Sequence, residues 1–322
     1  HDYLLFFTNT GRVYCERVHE IPDMGRAAKG RSIANLLELQ SNENVAALIR
    51  INAQSENGLD TTWEQDQCLF FATRKGTVKQ TELSQFANIR RGGIIAIKLD
   101  EGDLLIDVKL TTHGDDVVLI TRQGMSIRFH EDDVRRMGRA TTGVRGIRLS
   151  DGDEVVAAAV VEKDASLLVA GDRGIGKRTD FEEYRVQARG GKGIITMKTG
   201  EKTGDVIGAL TVKDGDEIML ITTGGQMVRT SVNYIREIGR NTMGVRLINL
   251  DEEDRLQAIA PVVKEDDDDE DENQLKLDVE INNPDTPASP QPLSEETEEE
   301  VQEEENPEAE SSRTDDEPPA LD

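Results

Sequence analysis

The sequence predicts an all-β fold: a propeller-like array of repeated four-stranded blades followed by a disordered acidic tail. Three observations carry that reading. An apolar hairpin recurs five times around a turn glycine, a basic glycine-rich loop follows each hairpin at the same period, and the charge balance breaks sharply near residue 264.

The hairpins come first. LLFFTNTGRVY (residues 4–14), CLFFATRKGTVKQT (68–81), VVLITRQGMSIRF (117–129), LLVAGDRGIGKRT (167–179) and IMLITTGGQMVRT (218–230) each read as strand, glycine turn, strand, the pattern of a tight hairpin. Their glycines, Gly11, Gly76, Gly124, Gly174 and Gly225, are 65, 48, 50 and 51 residues apart. The long first interval is accounted for by the polar insert NAQSENGLDTTWEQDQ, whose Trp63 is expected to cap the first blade.

The loops come next: GRAAKGRSI, IRRGGIIAI, GRATTGVRGI, ARGGKGIITM and GRNTMGVRLI, sharing Gly30, Gly93, Gly143, Gly193 and Gly244. A further strand is expected after each loop, then an acidic turn (Asp100–Asp103, Asp151–Asp153, Asp251–Asp254) and a closing strand such as VVAAAVV. Four strands in about fifty residues is the sequence form of a propeller blade, and a radial array leaves few long open edges. An extended strand of eight residues would separate the loop from the acidic turn by roughly 26 Å.

Charge divides the chain in two. Residues 265–322 hold 25 acidic residues against Lys276 and Arg313, whereas the net charge of the remainder is only −3 of the total −26. Residues 1–263 therefore read as a nearly neutral globular body, and 264–322 as a disordered polyanion able to compete for any basic surface. Cys15 and Cys68 offer neither a disulfide framework nor metal spacing, and His1, His19, His113 and His130 are too scattered to suggest zinc. The absence of an initiator methionine suggests a fragment of something longer, and no apolar run approaches a membrane span.

Within the body the cations gather in the loops: Arg26, Lys29 and Arg31; Arg90 and Arg91; Arg135, Arg136, Arg139 and Arg145; Arg189 and Lys192; Arg240 and Arg246. One such loop alone would read as a solvated turn. In four of five copies, however, an arginine stands four residues before the shared glycine (Arg26, Arg139, Arg189, Arg240; Ile89 is the exception), and a turn does not require that. A basic stripe made by repetition is the footprint of a protein that follows a polyanion, with glycines admitting phosphate close to backbone N–H groups. No recognition helix or aromatic platform is legible, so duplex DNA backbone is the expected partner. GDRGIGKRT is like a nucleotide-binding loop, but it has Arg178 where a Ser or Thr should hold magnesium, and it falls on a hairpin turn.

FFTNTGRVY, GRAAKGRSIANLL, TTGVRGIRL, GIGKRT and GRNTMGVRLI, in that order and spacing, resemble successive blades of the C-terminal domain of DNA gyrase A across residues 1–263. The resemblance implies a six-bladed β-pinwheel whose perimeter binds and bends duplex DNA so that an ATP-dependent enzyme introduces negative supercoils. It implies as partners the rest of gyrase A, together with gyrase B, in a heterotetramer, and a cytoplasmic, nucleoid-associated bacterial protein without membrane contact. The family's Gln-Arg-Arg-Gly-Gly-Lys-Gly box belongs to a first blade that would lie upstream of His1; Gln187–Gly193 differs from it by one residue but sits in the fourth repeat. The catalytic tyrosine, the metal-binding carboxylates and the ATPase would also lie elsewhere, leaving this chain with no active site and no cofactor, ATP and Mg serving the full enzyme. Tyr3, Tyr14, Tyr184 and Tyr234 are expected to be packing residues. The readings held beside this one are the corresponding C-terminal domain of topoisomerase IV, a protein-interaction propeller and a small-molecule enzyme; sparse aromatics and the lack of converging carboxylates disfavour the last two.

Overall fold

The computed structural model describes residues 2–23, 30–56 and 59–263. The expectation for the acidic tail lies outside the described residues. The fold is all-β, and among the described residues the only helical segments are short 3-10 turns. Every pairing between described strands is antiparallel, as hairpin-connected strands require, and single parallel bridges join Gln80 to Arg136, Arg128 to Val186 and Arg178 to Glu237.

In the second blade, Gln67–Thr73 and Thr77–Glu82 form the hairpin and Leu105–Thr112 flanks it on the inner side. The fourth strand, Val144–Arg145, comes from the glycine loop of the third repeat. The same donation completes the first blade with Ile94–Ile95, the third with Ile194–Ile195 and the fourth with Val245–Arg246. A blade is thus not a sequence repeat: each of the first four borrows its outermost strand from the repeat that follows. The fifth blade, Glu217–Thr222, Met227–Ser231 and Leu256–Val262, has three strands among the described residues, where four were expected. Its Met227 and Val228 are exposed.

The central hairpin strands read as unbroken apolar runs because both of their faces are buried. Side chains alternate across a strand, so neighbours enter different cores. Leu69 and Phe71 pack with the first blade, and Phe70 and Ala72 with the third. Val117 and Leu119 face the second blade and Val118 and Ile120 the fourth; Leu167 and Val169, then Leu168 and Ala170, repeat the division one blade on. Four cores therefore join five blades. The outer face of the first blade is closed by Leu37 on Phe6 and Tyr14. Trp63 lies 5.3 Å from Tyr3, packed on the core between the first and second blades.

Each blade also carries one register shift, at Phe7/Thr8, Ala72/Thr73, Ile120/Thr121, Ala170/Gly171 and Ile221/Thr222. In four of them the threonine hydroxyl accepts the amide four residues on, for instance Thr77 N–H to Thr73 Oγ1 at 3.1 Å, which fixes the turn against the bulge.

Candidate nucleic-acid interface

The glycine loops of the second to fifth repeats supply the outermost strands of the first four blades, and their shared glycines, Gly93, Gly143, Gly193 and Gly244, are pressed against those blades, whereas Gly30 of the first repeat is exposed with nothing near it. At Gly143 (φ +115°) a Cβ would stand 2.5 Å from the Val78 carbonyl oxygen, and at Gly193 (φ +76°) 2.2 Å from that of Ser126. Close backbone approach, with a left-handed conformation, is what requires glycine here. For Gly93, Gly143, Gly193 and Gly244 the expectation that the shared glycine opens the backbone to phosphate is corrected accordingly. The eight-residue strand is not formed either. Only two residues pair, after which Ala96 and Ile97 donate their amides to Gly11 O (2.9 and 3.1 Å), wrapping the hairpin turn, so the 26 Å separation does not apply.

The arginine four residues before the glycine has a structural duty. Arg189 Nη1 donates to Arg145 O (3.1 Å) and its Nε to Asp133 O (2.8 Å); Arg240 Nη1 donates to Ile195 O (3.1 Å) and Arg139 Nη1 to Ile95 O (3.5 Å). Ile95, Arg145 and Ile195 are equivalent residues, so each arginine clasps the loop of the preceding repeat. All three arginines are half-buried. A guanidinium carries five N–H donors, so one or two bonds leave the rest facing outward.

Arg31, Arg90, Arg145, Lys192 and Arg246 are exposed, as is Arg91, whose Nε lies 3.3 Å from Glu38. Arg26 and Lys29 lie outside the described residues. Two basic series escaped the sequence reading as series. Lys98, Arg148 and Lys198 stand five residues after the glycine, and Arg135, Arg185 and Arg236 eight before it; all six are exposed. The amides of Lys98, Arg148 and Lys198 bond Thr141 O, Gly191 O and Thr242 O at 2.8–3.0 Å, which sets these cations beside the next loop. Their fixed offsets were the signal. By contrast Arg136 is engaged by Asp66 and Glu82.

The acidic turns cap hairpins. Asp103 Oδ1 accepts from Lys75 N and Leu104 N (2.9 and 2.8 Å), and Asp153 from Gln123 N and Glu154 N (both 2.9 Å). Asp254 is held well below the usual carboxylate range by the Thr222 and Thr223 side chains and then by the Gly224 and Arg255 amides. One carboxylate of each turn is thus tied into the fold, while Asp100, Glu101, Asp151, Asp251, Glu252 and Glu253 remain exposed, so the acidic turns present negative charge apart from the basic loops.

The remaining candidates resolve simply. GDRGIGKRT forms a hairpin turn that runs into the strand Ile175–Asp180 and then only a three-residue 3-10 turn, Phe181–Glu183, not a phosphate-binding helix, and Lys177 is fully buried. Tyr14 and Tyr184 are buried, but Tyr234 is exposed, contrary to expectation, because Ile235 takes the position of Tyr184. His113, Glu131 and Asp132 come together within 4.8 Å, a convergence the scattered histidines did not suggest. Glu131 fills a site that Leu83, Phe181 and Val232 fill in other blades; it is raised in pKa chiefly by burial and accepts from Gln80 Nε2. No helix among the described residues is long and apolar enough to cross a membrane.

A row of clasped arginines flanked by exposed cations suits a long polyanion, and known proteins bear on which one. Residues 2–52, 69–112, 115–162, 165–213 and 216–262 match the family described as DNA gyrase C-terminal domain, beta-propeller. DNA gyrase A of Mycolicibacterium smegmatis is 45% identical over 83% of this chain, and that of Escherichia coli 44% over 83%. The chain spans only 31% and 30% of those two proteins. Among solved structures, a DNA gyrase A C-terminal domain superposes with TM-score 0.70 at 27% identity, covering 82% of this chain and 83% of the other. The C-terminal domain of a DNA topoisomerase IV does so with TM-score 0.71 at 28% identity, covering 87% and 84%. Five units matched in order, on a fold of five successive blades, establish that the chain belongs to the DNA gyrase C-terminal domain family.

Proposed function

We propose that this domain binds duplex DNA along its row of basic loops and bends it, as a non-catalytic part of a gyrase that introduces negative supercoils. In this reading strand cleavage, with its tyrosine and magnesium, and ATP hydrolysis lie outside the chain, which holds no cofactor of its own. Its partners are double-stranded DNA, the rest of gyrase A, and gyrase B, in the bacterial cytoplasm. The observation that carries the reading is the repeated clasp of Arg139, Arg189 and Arg240, which sets exposed cations in register from blade to blade. Phosphate contacts position a duplex without reading its sequence, which is what such a row can do. The sequence relatives named DNA gyrase favour gyrase over topoisomerase IV, whose fold is equally similar.

The test is a titration of 12- and 40-base-pair duplexes against salt, with wild type and an Arg145→Glu/Lys192→Glu/Arg246→Glu variant. These three side chains are exposed, so the fold should be spared. Wild type should favour the longer duplex, because bending costs about 1–6 kcal/mol that only several spaced contacts offset. The variant should lose at least tenfold in affinity, and its salt slope should fall by roughly 2–3 at about 0.9 per phosphate. Equal affinity of the two proteins would remove the loops from the site.

A further inference from the structure

We infer that Lys79 and Lys177 are positioning residues for this interface, each anchoring from beneath the loop that presents Arg139 or Arg240. The inference rests on the DNA-binding reading for its purpose but on separate observations for its geometry.

Both lysines are fully buried, and both stand at the same place in their blades, paired across the hairpin with Phe71 and Val169 respectively. Lys79 Nζ donates to Ala96 O (2.6 Å) and to Arg139 O, 5.3 Å from the centre of the Phe71 ring. Lys177 Nζ donates to Gly239 O (2.7 Å), Arg240 O and Thr242 Oγ1 (3.2 Å), using all three of its N–H groups. Lys79 thereby joins two successive loops, since Ala96 follows the strand that completes the first blade. Lys177 grips one loop at three points.

The fold does not demand a lysine there. The equivalent residue is Tyr14 in the first blade and Ile127 in the third, both buried. Removing an amine from water is costly, so a lysine without a duty would be a poor choice. What distinguishes the two lysine-bearing blades is the loop above. Gly138-Arg139-Ala140-Thr141 and Gly239-Arg240-Asn241-Thr242 lie over lysine, whereas the loops with paired glycines, Gly92-Gly93 and Gly190-Gly191, lie over Tyr14 and Ile127. In the first kind the arginine's own carbonyl is turned into the blade to meet the ammonium. Holding that peptide fixes the backbone from which the guanidinium departs, so the loop is ordered before DNA arrives and binding does not bear that ordering cost.

The test replaces both lysines with the residue the third blade already uses, Lys79→Ile/Lys177→Ile, and follows amide hydrogen exchange and binding to the 40-base-pair duplex. Amides of residues 137–144 and 238–244 should exchange about tenfold faster, while those of 187–193 stay as they are. DNA affinity should fall about three- to tenfold although every outward-facing cation remains. An Ile127→Val control, which trims the core without touching either lysine, should leave both loops protected. Unchanged exchange in the two loops would overturn the anchoring. Faster exchange with unchanged affinity would overturn the positioning role and leave the basic row standing, since the charge-reversal titration tests that row on its own. If the double variant does not fold, Lys79→Met and Lys177→Met singly carry the same readouts, each on its own loop.

Discussion

The loops of the fourth and fifth repeats occupy the same place on adjoining blades and solve one backbone problem in two ways. In the fourth, Ala188 stands where the fifth has Gly239; there Gly190 N–H reaches Gly146 O (2.5 Å), Gly191 O receives Arg148 N–H (2.8 Å) and the floor is Ile127. In the fifth, Thr242 Oγ1 folds back onto Gly239 O (2.7 Å) and the floor is Lys177. One loop relies on glycine freedom, the other on side-chain hydrogen bonds. The pair teaches that a shared outline in sequence does not mean a shared means of holding the backbone.

The largest effect should come where the two loops do not differ. A Cβ at Gly193 would lie 2.2 Å from Ser126 O, and one at Gly244 2.5 Å from Gly176 O, both at positive φ. Gly193→Ala and Gly244→Ala should therefore each cost at least about 2 kcal/mol in urea unfolding. A mild loss at either would break the equivalence of the two docking sites.

A middle-sized effect should appear only in blades floored by lysine. Burial lowers the Lys79 pKa to about 7, with Arg139 acting in the same direction, and that of Lys177 to about 8, with Glu183 opposing and Arg240 reinforcing. Since the ordinary value is 10.5, the unfolded chain holds more protons than the folded one above those pKa values. Stability should then rise with pH from about 7 upward. The window is read below pH 8.5, because the Cys15 and Cys68 thiols, raised to about 11 by burial, act oppositely at higher pH. Lys79→Ile should flatten the stability profile between pH 7 and 8.5 by up to about 1.4 kcal/mol per pH unit, whereas Ile127→Val should leave its slope unchanged.

The smallest effect concerns Gly191 alone. Its nearest neighbours, Ile127 Cδ1 at 3.5 Å and Ala188 O at 3.6 Å, are at ordinary contact distance. Gly191→Ala should change stability by no more than about 0.4–1 kcal/mol, on the stabilising side, by removing freedom from the unfolded chain. A clear loss would show that this loop is as tightly fitted as its neighbour.

Much of this was legible because it was periodic. The turn glycines, the loop glycines and the apolar hairpin strands recur at about fifty residues, and local patterns of that kind are what a sequence displays. The destination of Val144–Arg145 was not legible, because pairing with Thr77–Val78 is decided by tertiary contact and leaves no local mark. Nor was the inward turn of Lys79 and Lys177, since a lysine in an apolar strand reads as an outward charge until its carbonyl partners are seen. The clasp of Arg189 was half visible: its fixed offset suggested a duty, but not that Arg145 O would be its acceptor. Tyr234 misled for the opposite reason, being aromatic on a stretch where the chain turns outward.

The borrowed outer strand sets the order in which the chain can be finished on a ribosome. The second hairpin ends at Glu82, but its last strand is not made until Val144 has emerged. At about 5–20 residues per second that is a wait of roughly 3–12 s, with a sheet edge exposed at each stage. Maturation therefore runs one unit behind synthesis along the whole array. The same arrangement makes growth by duplication easy: an extra unit inserted in phase receives a strand from its successor and supplies one to its predecessor, so every junction is conserved.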